Sequence, residues 1–208
     1  GCAATPSRPG RETTDKVRDL NQEALRHYAN AEFQKAQRIW GAALRKKPDS
    51  PKILYNLGLA SFARQEYEKS ADFFTRAFER DQEFTPALIN RALAQVQIGH
   101  YERAAKDLEQ AAQLAPRDPV VKFNQGVLAA RQAEYAEAIQ HYTAALETEP
   151  RMASAWNNRG ICYLETGEDH KARSDFSRAI SLQDQEASYY FNRAIAWEEL
   201  SRFDDAMT

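Results

Sequence analysis

The chain repeats itself every 34 residues. Aligned on its small and aromatic positions, it falls into segments that begin at Val17, Pro51, Thr85, Pro119, Ala153 and Ala187, with no insertion between them. A period of this length constrains a chain more than any single motif. Each repeat must form the same supersecondary unit and must bury its apolar face against its neighbours. The eighth place reads Ala24, Gly58, Ala92, Gly126, Gly160 and Ala194. The twentieth reads Ala36, Ser70, Ala104, Ala138, Ala172 and Ala206, and the twenty-seventh is alanine from Ala43 to Ala179. Small residues at three fixed places let two helices approach closely. The seventeenth place is aromatic at Phe33, Tyr67, Tyr101, Tyr135 and Phe203, with Asp169 the exception, and the twenty-fourth is bulky at Trp40, Phe74, Leu108, Tyr142 and Phe176.

Within each repeat the apolar spacing is three and four, broken near the fifteenth place by residues such as Gly99 and Gly167. The spacing predicts a helix of about 14 residues, a tight turn and a second helix of similar length. The residues at these places resemble those of the tetratricopeptide repeat family, over the whole span from Val17 to Thr208. Lys122, where other repeats carry Leu54, Leu88 or Trp156, and Asp169 are local departures. The resemblance implies an all-α fold, a right-handed superhelical solenoid of helix-turn-helix repeats with a concave surface. Residues 1–16 read as a flexible polar tail. The repeats occupy 17–50, 51–84, 85–118, 119–152, 153–186 and 187–208, the last incomplete and stopping inside its second helix. The exposed last edge is expected to self-associate.

The net charge is −2 and 28% of residues are charged, without the basic stripe of a nucleic-acid binder, so no nucleic-acid partner is expected. No run approaches the roughly 18 apolar residues of a bilayer span. Cys2 and Cys162 are too few for a disulfide framework or a zinc site, and Cys162 reads as a small buried apolar residue. The four histidines are scattered without a ligand spacing, so neither a metal nor a cofactor is expected. Nothing resembles a nucleophile with its base or a phosphate-cradling glycine loop, and no enzymatic role is expected.

In the family it resembles, the first helix of each repeat faces the groove with its second, fifth, sixth, ninth, twelfth and thirteenth places. Here the sixth place holds Gln22 and then Asn56, Asn90, Asn124, Asn158 and Asn192. Asparagine is a poor helix former, so five at one place ask for a use. An amide both donates and accepts, and a row of them can pair with an extended backbone whatever its sequence. Similar ladders occur in tetratricopeptide proteins that hold extended peptides, including the sugar transferase of intracellular serines and threonines. The competing use is internal: each amide bonds a neighbouring helix and fixes the pitch. Tyr55, Phe123 and Phe191 at the fifth place are candidate apolar anchors. The ninth place (Leu25, Leu59, Leu93, Val127, Ile161, Ile195) reads mainly as packing between helices. The sixth place is never Arg and the ninth never Asn, which sets aside the carboxylate clamp of the co-chaperone members. Arg91, Arg159 and Arg193, beside the asparagines, are expected to cover the helix flank with their stems, with contact to acidic ligand groups as the other use.

Gly1 and Cys2 open a Pro- and Thr-rich stretch that fits three origins. They match an N-myristoylation signal with a second acyl site, the lipidated end of a bacterial lipoprotein, or an arbitrary boundary. The lipoprotein reading brings the chain close to repeat lipoproteins that help pilus secretins assemble. A lipid on Gly1 or Cys2 would place it on the periplasmic face of a bacterial membrane or the cytoplasmic face of a eukaryotic one; a boundary implies the cytoplasm. The leading functional expectation is a non-enzymatic scaffold binding a protein or peptide segment with apolar side chains, extended or helical, in the groove. The alternatives are an assembly-factor array using its outer face or ends, and the targeting module of a longer enzyme.

Overall fold

The computed structural model describes the backbone of residues 9–206 and the side chains of residues 14–200. Gly1 and Cys2, the expected lipidation positions, lie outside the described residues, as does the side chain of Phe203. The described residues form eleven helices, five antiparallel pairs followed by α11. They are α1 (Pro9–Ala29) with α2 (Phe33–Lys46), α3 (Pro51–Ala63) with α4 (Tyr67–Arg80), and α5 (Thr85–Gln97) with α6 (Tyr101–Leu114). Then follow α7 (Pro119–Arg131) with α8 (Tyr135–Thr148), α9 (Ala153–Glu165) with α10 (Asp169–Leu182), and α11 (Ala187–Ala206). The chain divides into two compact units inside α6, Gly1–Asp107 and Leu108–Thr208.

The turn inside each repeat has one mechanism. Ala31, Gln65, Gly99, Ala133 and Gly167, all at the fifteenth place, take left-handed φ between 57° and 77°. The N–H of the next residue then reaches back to the fifth carbonyl before it, as in Glu66 to Ser61 at 2.9 Å and Glu168 to Tyr163 at 2.7 Å. This closes the end of the first helix and starts the second. Starts of first helices use Pro51 and Pro119 at the first helical position, and Asp118 accepts from the Val120 N–H at 2.8 Å.

The small places let the paired helices touch. A Cβ on Gly58 would stand 2.5 Å from the Phe74 ring, and one on Gly160 would stand 2.7 Å from the Phe176 ring. Phe74, Phe176, Ala36, Ala77, Ala138 and Ala179 are all fully enclosed. In the N-terminal unit Trp40 seats among Ala24, Ala43, Leu57 and Ala60. In the C-terminal unit Tyr142 seats with Ala129, Ala138 and Cys162.

Two boundaries differ from the sequence reading. Helix α1 begins at Pro9, so residues 9–16, assigned by composition to the tail, run continuously into the first repeat. Proline at the first position suits this start, since its missing N–H would have no helical partner there. Helix α11 runs straight through to Ala206, past Ser201 at the fifteenth place, so the last repeat does not turn where the other five do.

Candidate functional site

The sixth-place asparagines sit on the first helices, half-buried except for Asn124, which is buried. Three of them reach back 35 residues to the fifth place of the preceding repeat. Asn56 donates to the Asn21 carbonyl oxygen at 3.1 Å, Asn90 to the Tyr55 hydroxyl at 3.1 Å, and Asn192 to Asn157 at 2.8 Å. Asn21 also accepts the Trp40 indole N–H at 3.0 Å. The other two follow Ile89 and Phe123, which offer no acceptor. Asn124 turns onto its own helix and donates to the Val120 carbonyl at 2.7 Å. Asn158 accepts from Asn157 at 3.3 Å and meets the Tyr142 hydroxyl.

The fifth-place aromatics differ in what they touch. The Tyr55 ring packs on Phe74 and Phe84, with centroids 5.5 and 5.1 Å away, and burial raises its phenol pKa. Phe123 packs on Tyr142 at 5.7 Å. Phe191 is 68% exposed. At the ninth place Leu25 and Ile161 are exposed and the others are half-buried, so this row is only partly packing.

Around Asn158 the first-helix face of the C-terminal unit opens into a cavity of about 410 Å³. Its sides are Val127, Ala130 and Arg131 of α7 and Asn158, Ile161 and Glu165 of α9. These six occupy the sixth, ninth, twelfth and thirteenth places, all groove places of the repeat. Tyr135, Tyr142 and Cys162 complete the lining. Burial raises the Tyr142 phenol and pushes the Cys162 thiol up to about 11, so neither carries charge at neutral pH. The result is an apolar recess with one amide in its wall and one charge of each sign, Arg131 and Glu165, at its exposed edges. Such a recess suits an apolar side chain and has no arrangement for bond-making chemistry.

Two of the arginines expected to lie along the helix flank are instead locked inside the protein. Arg91 grips Asp107 with Nε and Nη2 at 2.7 and 2.6 Å, and donates from Nη1 to Thr75 at 3.1 Å. Arg159 does the same with Asp175 at 2.7 and 3.0 Å and with Thr143 at 2.9 Å. Arg and Asp side chains are only 13–17% and 6–8% exposed. The Nε–Nη2 fork of each guanidinium is therefore taken by an aspartate of its own repeat, with Nη1 on a threonine of the repeat before, so that fork is closed to an acidic ligand. The signal is present in the sequence as a spacing of 16 between Arg and Asp in the third and fifth repeats.

The family model described as tetratricopeptide repeat matches residues 21–83, 89–150 and 123–184. No curated protein matches the chain significantly. Among solved structures, the chain is similar to TTC0263, a thermophilic TPR protein in Thermus thermophilus. The identity is 18% and the TM-score 0.77, with 87% of this chain and 98% of that one covered. It is similar to pilF of Pseudomonas aeruginosa at 17% identity and TM-score 0.74, covering 92% and 93%. It is also similar to YrrB, described as a TPR protein with an unusual peptide-binding site, at 20% identity and TM-score 0.60, covering 88% and 95%. These likenesses show the fold, that of an all-α helical-repeat solenoid. With its period, its turns and its paired helices all in register, the chain belongs to the tetratricopeptide repeat family.

Proposed function

We propose that the chain is a non-enzymatic scaffold that holds an extended segment of a partner protein on its first-helix face. An apolar side chain of that segment seats in the recess between α7 and α9. The observation that carries this reading is the recess itself, lined on both sides by groove places of two successive repeats and walled by a sixth-place amide, Asn158. Asn158 offers its amide to the segment's backbone while Ile161 and Val127 grip the side chain. Phe123 backs the recess through Tyr142, and exposed Phe191 extends the apolar face along α11. Asn124 and Asn192 in the C-terminal unit, and Asn56, Asn90 and Tyr55 in the N-terminal unit, make internal bonds that hold the first helices of each unit in shape. YrrB, a fold neighbour described as a TPR protein with an unusual peptide-binding site, supports the reading.

The test is selection of random peptides displayed against the full chain, followed by Ile161→Glu. The enriched peptides are expected to share one bulky apolar residue. Ile161 is exposed, so the variant should melt as the parent does while losing the selected peptides. Retained binding by a normally folded Ile161→Glu protein would overturn the proposal.

A further inference from the structure

On its second-helix face, the N-terminal unit holds a cavity of about 300 Å³ between α2 and α4. Its residues stand at places that two other repeats fill with an arginine lock. In the lock the twenty-fifth place of one repeat is Thr75 or Thr143, and the seventh and twenty-third of the next are Arg91 with Asp107 or Arg159 with Asp175. Between the first and second repeats the same three places are Gly41, Leu57 and Phe73, and all three line the cavity. Leu57 is buried and Phe73 half-buried, so apolar walls stand where the lock would be. Gly41 leaves the room. Apart from its own helix backbone, a Cβ there would meet only Arg45 Nη1, 4.0 Å away. Glycine is a poor helix former, and no ring presses on Gly41 as Phe74 does on Gly58, so packing between helices does not call for it.

The rim of the cavity is cationic. Arg38 and Lys69 line it, Arg45 hangs beside Gly41, and no carboxylate is among its lining residues. Lys69 bonds Glu66 at 3.1 Å, and Asp72 is met by Arg76 at 3.5 Å. Among the described residues no carboxylate pairs with Arg38 or Arg45, both exposed. Gln37, the remaining polar group of the lining, donates to Ser61 at 2.8 Å and to Glu66 at 3.0 Å. We infer that this cavity takes one bulky apolar side chain from an acidic segment of a partner protein. The side chain enters beside Gly41 against Leu44, Leu57 and Phe73, and Asp or Glu residues flanking it lie on Arg38 and Arg45. An anionic partner supplies the charge that the rim lacks, and the volume has room for a leucine or phenylalanine side chain. The site lies wholly in the N-terminal unit and is independent of the segment binding at α7 and α9.

The probe is a library of random displayed nonapeptides, selected on the full chain carrying Ile161→Glu, which puts a charge into the α7–α9 recess. The enriched sequences are expected to join one Leu, Met or Phe to at least two acidic residues. Synthetic copies followed by anisotropy should bind this chain and lose at least about tenfold in affinity when Gly41→Leu or Arg38→Glu is added. Amides in place of the peptide's acidic residues, and serine in place of its apolar one, should each weaken binding with the protein untouched. Gly41→Leu puts a better helix former into open space and Arg38 is exposed, so both variants should melt close to the parent. No enrichment overturns the inference, and so does enrichment of neutral or basic sequences, or of peptides that hold Gly41→Leu as tightly as before. Sedimentation of the chain with phosphatidylserine vesicles, lost in Arg38→Glu and with no peptide enriched, would give this face to a membrane and overturn it too. The two sites fail separately, because peptides of the recess answer to Ile161→Glu and those of this cavity to Gly41→Leu.

Discussion

The N-terminal and C-terminal units use the same asparagine place in different ways. In the first, Asn56 and Asn90 both find a polar side chain 35 residues earlier, Asn21 and Tyr55, and the amides are spent holding adjacent first helices. In the second, Asn158 follows Phe123, which accepts nothing, and the amide stands in the wall of a recess instead. Asn192, with Asn157 behind it, returns to the closed arrangement. A repeat place therefore has no fixed role. The residue one repeat and one position earlier decides whether the amide can staple adjacent first helices; without an acceptor there, Asn158 stands in the recess wall while Asn124 turns onto its own Val120 carbonyl.

Behind this difference the two units share one frame, which the arginine locks test with the largest effect. Removing one partner from a buried ion pair strands the other charge and costs about 3–5 kcal/mol. Asp107→Ala and Asp175→Ala should each lower stability by about that much, and chemical denaturation of the two variants should give losses that agree within about 1 kcal/mol. A large loss in one unit and none in the other would break the premise. Replacing both members, Arg159→Met with Asp175→Leu, should recover most of the loss, because no charge is left buried.

The rungs themselves come next. Tyr55→Phe removes the acceptor of Asn90 and should cost about 1 kcal/mol, the ordinary worth of a hydrogen bond. Phe123→Tyr runs the exchange in the other direction. Its hydroxyl should capture Asn158, raise stability by up to about 1 kcal/mol and weaken peptides selected on the α7–α9 recess. Unchanged peptide affinity in that variant would show that the Asn158 amide is not what the segment meets. The turn residues give an effect of similar size. Ala31→Gly and Ala133→Gly relieve a left-handed alanine and should stabilise by about 1 kcal/mol each, equally in both units.

Most of the frame was legible because it is written five or six times. The fifteenth-place break, the small places and the ring that meets Gly58 each recur, so one repeat checks another. What stayed hidden is the traffic between repeats. Tyr55 reads as an anchor for a visitor when its repeat is taken alone; only the 35-residue step to Asn90 reveals its hydroxyl as an acceptor. The arginines likewise read as surface cover until Asp107 and Asp175, 16 residues on, are laid beside them. Side chains that point along a helix face reveal their partner only once a second helix is placed. The start of α1 at Pro9 was obscured for a different reason, since a short polar stretch rich in Pro, Thr and Gly has no apolar period to mark it as helix.

The smallest expected difference between the units is in acid. Glu66 in the N-terminal unit accepts from Gln37 of the preceding repeat at 3.0 Å, from Arg64 at 2.7 Å and from Lys69 at 3.1 Å. These bonds, with Gln37 the largest contributor, hold its carboxyl at about 2 instead of the usual 4.5. Its counterpart Glu168 is also lowered, by Lys171 and more weakly by Thr166, both within its own turn. A carboxyl held low when folded favours folding fully above pH 4.5, and that advantage fades as pH falls from there through about 2. Melting temperature followed across this window should fall less steeply in Glu66→Gln than in the parent. Glu168→Gln should flatten the curve less, because among the described residues that carboxylate takes its bonds from Lys171 and Thr166 of its own turn. An equal flattening by both variants would show that the Gln37 contact contributes nothing and that acid acts on the two turns alike.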